Sequence, residues 1–218
     1  MKSLASHGVL VVVACLAGAC SLGEGEGDIR SDALDVSECW NGPFQLTPDF
    51  FAAQPYHETS VKTALTIRVQ HGGDTEEVSD GAIVLVDDIK AIRDGIAADP
   101  NASFKVGMPP SVVPPGFPIV PDPNPPLVHL TLYLHRSCHA QNSALYSISG
   151  NMTFHAIFDG DLNETDAAEK LTHGEFTDIV VGDPRKRQPG TTTVDGVSHI
   201  RGNFKFYFQR GQPAQPFP

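Results

Sequence analysis

Positive charge is scarce in this chain of 218 residues: 15 Lys and Arg stand against 26 Asp and Glu, a formal net charge of −11 at pH 7. That balance excludes nucleic acid and anionic lipid as partners held by charge. The one basic run, Arg185-Lys186-Arg187, follows Asp183-Pro184 and is expected to be a solvated loop. Long apolar runs are missing as well. The longest, Val9 to Ala17, falls short of the about 20 residues a helix needs to cross a ~30 Å hydrocarbon layer. There is no G-x-S-x-G, no H-E-x-x-H, no paired-cysteine zinc spacing and no Gly-rich phosphate turn, so no enzyme class and no cofactor has a local signature. Cysteine is limited to four residues, Cys15, Cys20, Cys39 and Cys138.

What is present begins at the amino end. Lys2, a short polar stretch and the apolar run Val9–Ala17 have the layout of a signal peptide. The run leads through Ala17-Gly18-Ala19 directly into Cys20. This resembles a bacterial lipobox, with Val12-Val13-Ala14-Cys15 as a second match whose apolar core is very short. The resemblance to bacterial lipoproteins covers only about the first 20 residues. It implies that residues 1–19 are removed, that Cys20 carries diacylglycerol on its sulfur and an acylated amino terminus, and that the lipid bilayer is a partner. Several acyl chains anchor stably where one is marginal. Ser21 stands where Asp would favour inner-membrane retention in enteric lipoproteins, so the expected address is the outer membrane of a bacterial envelope. Loss of Lys2 with the leader turns −11 into −12.

Cys39 and Cys138 then remain, and in an oxidising envelope they have one obvious way to pair; two buried free thiols are the other reading. Residues 20–38, acidic, Gly-rich at the start and lacking an aromatic side chain, are expected to form a flexible tether holding the domain ~20–25 Å from the bilayer. One mainly β domain is expected over 39–218, with a proline-rich insertion at 109–126.

Alternation carries the fold class. In TALTIRVQ, Leu65, Ile67 and Val69 face one way and Thr66, Arg68 and Gln70 the other. VHLTLYLHR alternates Leu130, Leu132 and Leu134 with His129, Thr131, Tyr133 and His135. YSISGNMTFHAIF and HIRGNFKFYFQ repeat the pattern through Met152, Phe154, Phe158, Ile200, Phe204 and Phe206. Such segments predict an antiparallel β-sandwich or open β-barrel with one face wet. Two of them share the form I-x-G-N-φ-x-F, at Ile148 and Ile200, and the glycines Gly150 and Gly202 are read as equivalent bends of a curled sheet. Helix is expected only over 86–100, with Leu85, Ile89, Ile92 and Ile96 on one face and Asp87 or Asp88 as its cap, and as a turn at 166–171. Nine prolines in Pro109–Pro126 exclude a central strand or helix there and predict an extended segment.

Candidate chemistry is thin. Nine histidines invite a metal reading, but His129 and His135 on one strand lie ~20 Å apart. A pair across neighbouring strands, such as His135 and His155, is the alternative to solvated histidines. Asp159, Asp161 and Asn163 start like a calcium loop, but Glu164 and Lys170 stand where Gly and a bidentate Glu are required. Cys138 and His139, adjacent on the chain, point apart and do not make a catalytic pair. The expected function is a non-enzymatic envelope lipoprotein that binds a protein, a glycan or a small apolar ligand. A cavity lined by Phe154, Phe158, Phe204 and Phe206 would favour ligand carriage, and a filled core would favour surface recognition. A hydrolase site built from His135, His155 and Asp178, or a purely structural role, are the competing readings.

Overall fold

The computed structural model describes residues 25–57, 63–112, 124–139, 143–161, 170–188, 191 and 193–208. The leader, Cys20, residues 113–123 of the proline-rich segment, Asn163, most of the 166–171 turn and the tail 209–218 lie outside the described residues. The elements in chain order are β1 (Gly25–Val36), β2 (Trp40–Leu46), β3 (Phe50–His57), β4 (Thr63–His71), β5 (Asp80–Val86), α1 (Ile89–Ala98), β6 (Ser103–Gly107), β7 (Val128–Leu134), β8 (Ala144–Ala156), β9 (Leu171–Gly182) and β10 (Ser198–Tyr207). They form one ten-stranded sheet in the order β2-β1-β10-β9-β8-β6-β7-β5-β4-β3, antiparallel except for a short parallel contact of β6 with β7.

The connectivity forces this sheet to curl. β2 and β3 sit at opposite ends of the order, yet only Thr47, Pro48 and Asp49 separate them. A flat sheet would hold those edges about 43 Å apart at ~4.8 Å per strand. The Cα steps from Leu46 to Phe50 span at most about 15 Å. The sheet therefore bends round into a half-barrel, and Phe51 of β3 stacks on Phe206 of β10 with ring centroids 5.6 Å apart. Gly25 makes that approach possible, because a Cβ there would lie 2.7 Å from the Phe51 ring.

The repeated glycines act where the sheet bends. Gly150 on β8 and Gly202 on β10 flank β9 from its two sides, opposite Ile179 and Phe176, and both adjoin register shifts. A Cβ would meet Asp178 O at 2.8 Å in the first case and Asp28 O at 2.4 Å in the second. Close backbone approach at a bulge explains both residues.

The hollow of the curl is the core. Ile29, Leu34, Val69, Val84, Leu130, Phe154, Phe158, Phe176, Phe204 and Phe206 contribute to one buried cluster. The predicted helix is α1, capped by Asp88, whose side chain accepts from Ala91 N at 3.1 Å. It buries Ile89 and Ile92 against the core; Leu85 belongs to β5 instead. At the other end of the curl, Cys39 in the β1–β2 turn and Cys138 after β7 are joined in a disulfide with Cα atoms 5.8 Å apart. β10, β9, β8 and β6 lie between β1 and β7 in the sheet, so the bridge spans the mouth of the curl. The same turn is held by buried Asp183, which accepts from Ser37 N at 3.0 Å and from Arg185 Nη2 at 2.6 Å.

Two expectations need correction. The segment 20–38 is not a tether from Gly25 onward: it is β1, paired with β10 and β2. Its acidic residues Glu26, Asp28 and Asp32 are the outward members of a strand whose Ile29, Ser31, Leu34 and Val36 are buried, with a bulge resetting the alternation between Ser31 and Leu34. β4 and β7 are also not half-exposed. Arg68, Gln70 and Tyr133 are fully buried, and His129 and His135 nearly so, because the outer side of this region is covered by residues 72–79 and by loops beyond the strands.

Candidate functional site

The outer surface of the sheet divides into two polar regions of opposite character. Over β4, β5 and β7 the polar groups are buried. Gln70 is the hub: its Oε1 accepts from Arg68 Nε at 2.6 Å and from the Tyr133 hydroxyl at 2.8 Å, and its Nε2 donates to the carbonyls of Gly72 and Asp74. Arg68 donates from Nη2 to Asp74 O at 2.7 Å and lies over the Phe50 ring. His135 Nδ1 contacts Glu76 O at 2.9 Å. The hairpin 72–79 thus lays its carbonyls over a buried guanidinium, whose charge is also felt by the Glu76 and Glu77 carboxyls of that hairpin. Arg68 Nη1 and Glu76 Oε2 are buried with no hydrogen-bond partner among the described residues. Burial pushes the Glu76 carboxyl up and the Tyr133 hydroxyl well above its usual value.

Over β1, β10, β9 and β8 the outer side chains meet water. Arg201 grips Asp32 with two bonds of 2.8 Å, and its charge and hydrogen bonds hold that carboxyl below its usual range. Arg30 pairs with Asp28, Lys205 approaches Glu26 at 4.0 Å, and His199 Nδ1 lies 2.6 Å from Asp178. His155 Nε2 lies 3.1 Å from Glu175, and the His155 and His173 rings touch, with centroids 4.6 Å apart. Burial, the His155 ring and then Lys205 push the His173 imidazole below its usual value. Each of the cations Arg30, Arg201 and Lys205 therefore has a carboxylate neighbour on the same face, whereas Glu175 and Asp178 are matched by histidines, so the face is acidic while these are neutral.

The hydrolase arrangement of His135, His155 and Asp178 is not assembled. Tyr133 pairs with Ala144, which puts His135 at one end of β8, and His155 lies eleven residues further along, about 35 Å at 3.3 Å per residue. Their contacts are separate as well: Glu76 O for His135, Glu175 for His155 and His199 for Asp178. His129 is buried between Gly107 O and Asp87. His139 is exposed, and its neighbour Cys138 is consumed by the disulfide. Asp159 uses its carboxylate to accept from Asp161 N at 2.8 Å, closing a local turn; its proposed partner Asn163 lies outside the described residues. Among the described residues no group of three or more His, Cys, Asp or Glu side chains is arranged to hold a metal ion.

The four phenylalanines belong to the core inside the curl. Phe154, Phe158 and Phe204 are fully buried and Phe206 is 2 % exposed. Phe154 meets Phe204 edge-on at 6.4 Å, Phe204 neighbours Phe206, and Phe158 stacks on Phe208 at 4.3 Å. A shallow depression lies outside the sheet, lined by Met108, Val112, Tyr146, Ile148, Pro184 and Arg187, beside the start of the proline-rich segment. Arg187 Nη1 ties that segment down at Val112 O, 2.7 Å away. Large apolar side chains exposed among the described residues are Val78, Val197 and Tyr207, on three separate segments, so they form no contiguous apolar patch. Among the described residues no helix is long and apolar enough to cross a membrane. Comparison with protein-family models, with curated proteins and with solved structures finds no match for this chain.

Proposed function

We propose that the chain is an envelope lipoprotein, anchored through Cys20 to the outer membrane, that acts without catalysis by recognising a polar partner, another envelope protein or a glycan, on the outward face of β1, β10, β9 and β8. The observation that carries this reading is the burial of Phe154, Phe158, Phe204 and Phe206 inside the curl, with Phe154 against Phe204, Phe204 against Phe206 and Phe158 against Phe208. A sheet that carries an apolar ligand keeps space in its hollow; here aromatic side chains are buried there. The outward face offers hydrogen-bonding groups in a ladder of ion pairs with an excess of carboxylates, which suits a polar partner that carries no net negative charge.

The test uses the lipidated chain in its own membrane with a photo-cross-linker placed in turn at Thr177, on the outward face, and at Glu77, on the hairpin. A discrete adduct from Thr177 and none from Glu77 is the expected result. Organic extraction of the purified protein that releases a stoichiometric apolar molecule would instead return the function to ligand carriage. The anchor is tested separately by intact mass: a chain beginning at residue 20 with added acyl mass is expected, and an unmodified chain beginning elsewhere overturns it.

A further inference from the structure

We propose that His155 and His173 form a chelating site for a divalent transition ion that favours tetragonal coordination, of the copper(II) type. The site is created by an irregularity of the sheet. β8 and β9 pair with Phe154 opposite Gly174 but Ala156 opposite His173, so the register shift leaves His155 as the extra residue and sets its ring beside that of His173.

The ring separation selects the geometry. With a metal–nitrogen bond of about 2.0–2.1 Å, and ~1.15 Å from a ring nitrogen to its centroid, each centroid lies ~3.2 Å from a shared ion. Centroids 4.6 Å apart then subtend about 90° at that ion, the cis angle of a tetragonal site, whereas a tetrahedral angle would set them ~5.2 Å apart. Glu175 supplies the outer contact such sites use. Its carboxylate lies 3.1 Å from His155 Nε2, which leaves Nδ1 as the ring nitrogen turned away from the carboxylate and available to an ion. Glu175 is thus a positioning residue and not a ligand, in keeping with the lack of any three-ligand group among the described residues. The imidazole of His155 is about one third exposed, so water completes the coordination sphere and the open positions point away from the sheet. The inference is independent of whether this face recognises a macromolecule.

The test is titration of the full lipidated chain in detergent with copper(II) sulfate in a non-coordinating buffer, followed by electron paramagnetic resonance. One equivalent bound, with superhyperfine splitting from two nitrogens, is expected. His155→Ala and His173→Ala should each weaken binding at least tenfold and remove one nitrogen from the spectrum; Glu175→Gln should weaken it by about tenfold through loss of the outer contact. His199→Ala, on the neighbouring strand, should leave both affinity and spectrum unchanged. These side chains point outward, and unchanged circular dichroism of each variant shows that the loss is not unfolding. A two-nitrogen signal that survives both His155→Ala and His173→Ala, or is lost in His199→Ala, overturns the assignment, as does the absence of a two-nitrogen species in the unaltered protein.

Discussion

Gln70 on β4 and Arg201 on β10 occupy the same kind of position: each is a polar residue on the outer side of a strand whose inner side feeds the shared core. Their circumstances are opposite. Gln70 is fully buried beneath the 72–79 hairpin and holds four groups of the same network, while Arg201 lies in water and holds one carboxylate. In the first region a lost hydrogen bond strands a donor with no solvent to replace it; in the second, water replaces it at once. One half of the sheet is thereby a rigid, two-sided wall, and the other is a surface free to vary.

The sharpest test of that contrast is Gln70→Leu. It strands Arg68 Nε and the Tyr133 hydroxyl, so a loss of about 3–5 kcal/mol is expected from two orphaned buried donors, one of them charged. It should be read as a lower urea midpoint at unchanged slope. A loss below about 1 kcal/mol would mean that the hairpin lifts to admit water, and that the wall is wet after all.

Removing the bridge by Cys39→Ser with Cys138→Ser should cost about 2–4 kcal/mol, since it frees a long loop in the unfolded chain. In the native protein the bridge should resist thiol reductants until the sheet opens. Cys39 is exposed, but attack there must expel Cys138, which is 3 % exposed among apolar side chains and a poor thiolate leaving group. Mass change against time in dithiothreitol checks this; rapid reduction of folded protein would contradict it.

Asp183→Asn should cost about 2 kcal/mol at neutral pH, through its bonds to Arg185 and Ser37. Burial pushes the Asp183 carboxyl up, but the hydrogen bonds from Arg185 and Ser37 outweigh it and hold the group below the usual carboxylate range. A depressed carboxyl contributes stability that is complete above its unfolded value of about 3.9 and is lost as pH falls through the lower folded value. The gap between the two proteins should therefore narrow below about pH 4, which urea melts at pH 7 and pH 3 would show. The smallest effect belongs to the wet face: Arg201→Ala should cost under about 1 kcal/mol, less still at high salt. A larger loss would erase the distinction between the two regions.

Much of the architecture is legible in the sequence because alternation, glycine and cysteine act locally. The strands around Ile67, Leu132, Phe154 and Phe204, the bends at Gly150 and Gly202, α1 and the Cys39–Cys138 bridge all follow from such signals. The two misreadings share a cause. Arg68 and Gln70 alternate with apolar residues just as Arg201 and Asn203 do, and alternation states which side a residue takes but not what covers that side. The cover here is made of main-chain carbonyls from 72–79, which no side-chain pattern records. β1 was hidden in the same way, since its Glu and Asp residues are the wet half of an alternation interrupted by a bulge. His173 and Glu175, spaced by two in LTHGEF, carry the alternation that marks a shared face, but their meeting with His155 depends on a register shift that the sequence does not announce.

The place of β1 also sets a timetable. Its partner β10 is the last of the described strands, and the Ser31 hydroxyl donates to His199 O across 168 positions. Contacts so distant in sequence make folding slow, because the loop must be closed before the pairing stabilises it. A chain emerging amino end first exposes β1, with its unpaired main-chain groups, until β10 has been made. The sheet cannot close until β10 has arrived, so β1 must be kept from pairing with neighbouring chains in the meantime.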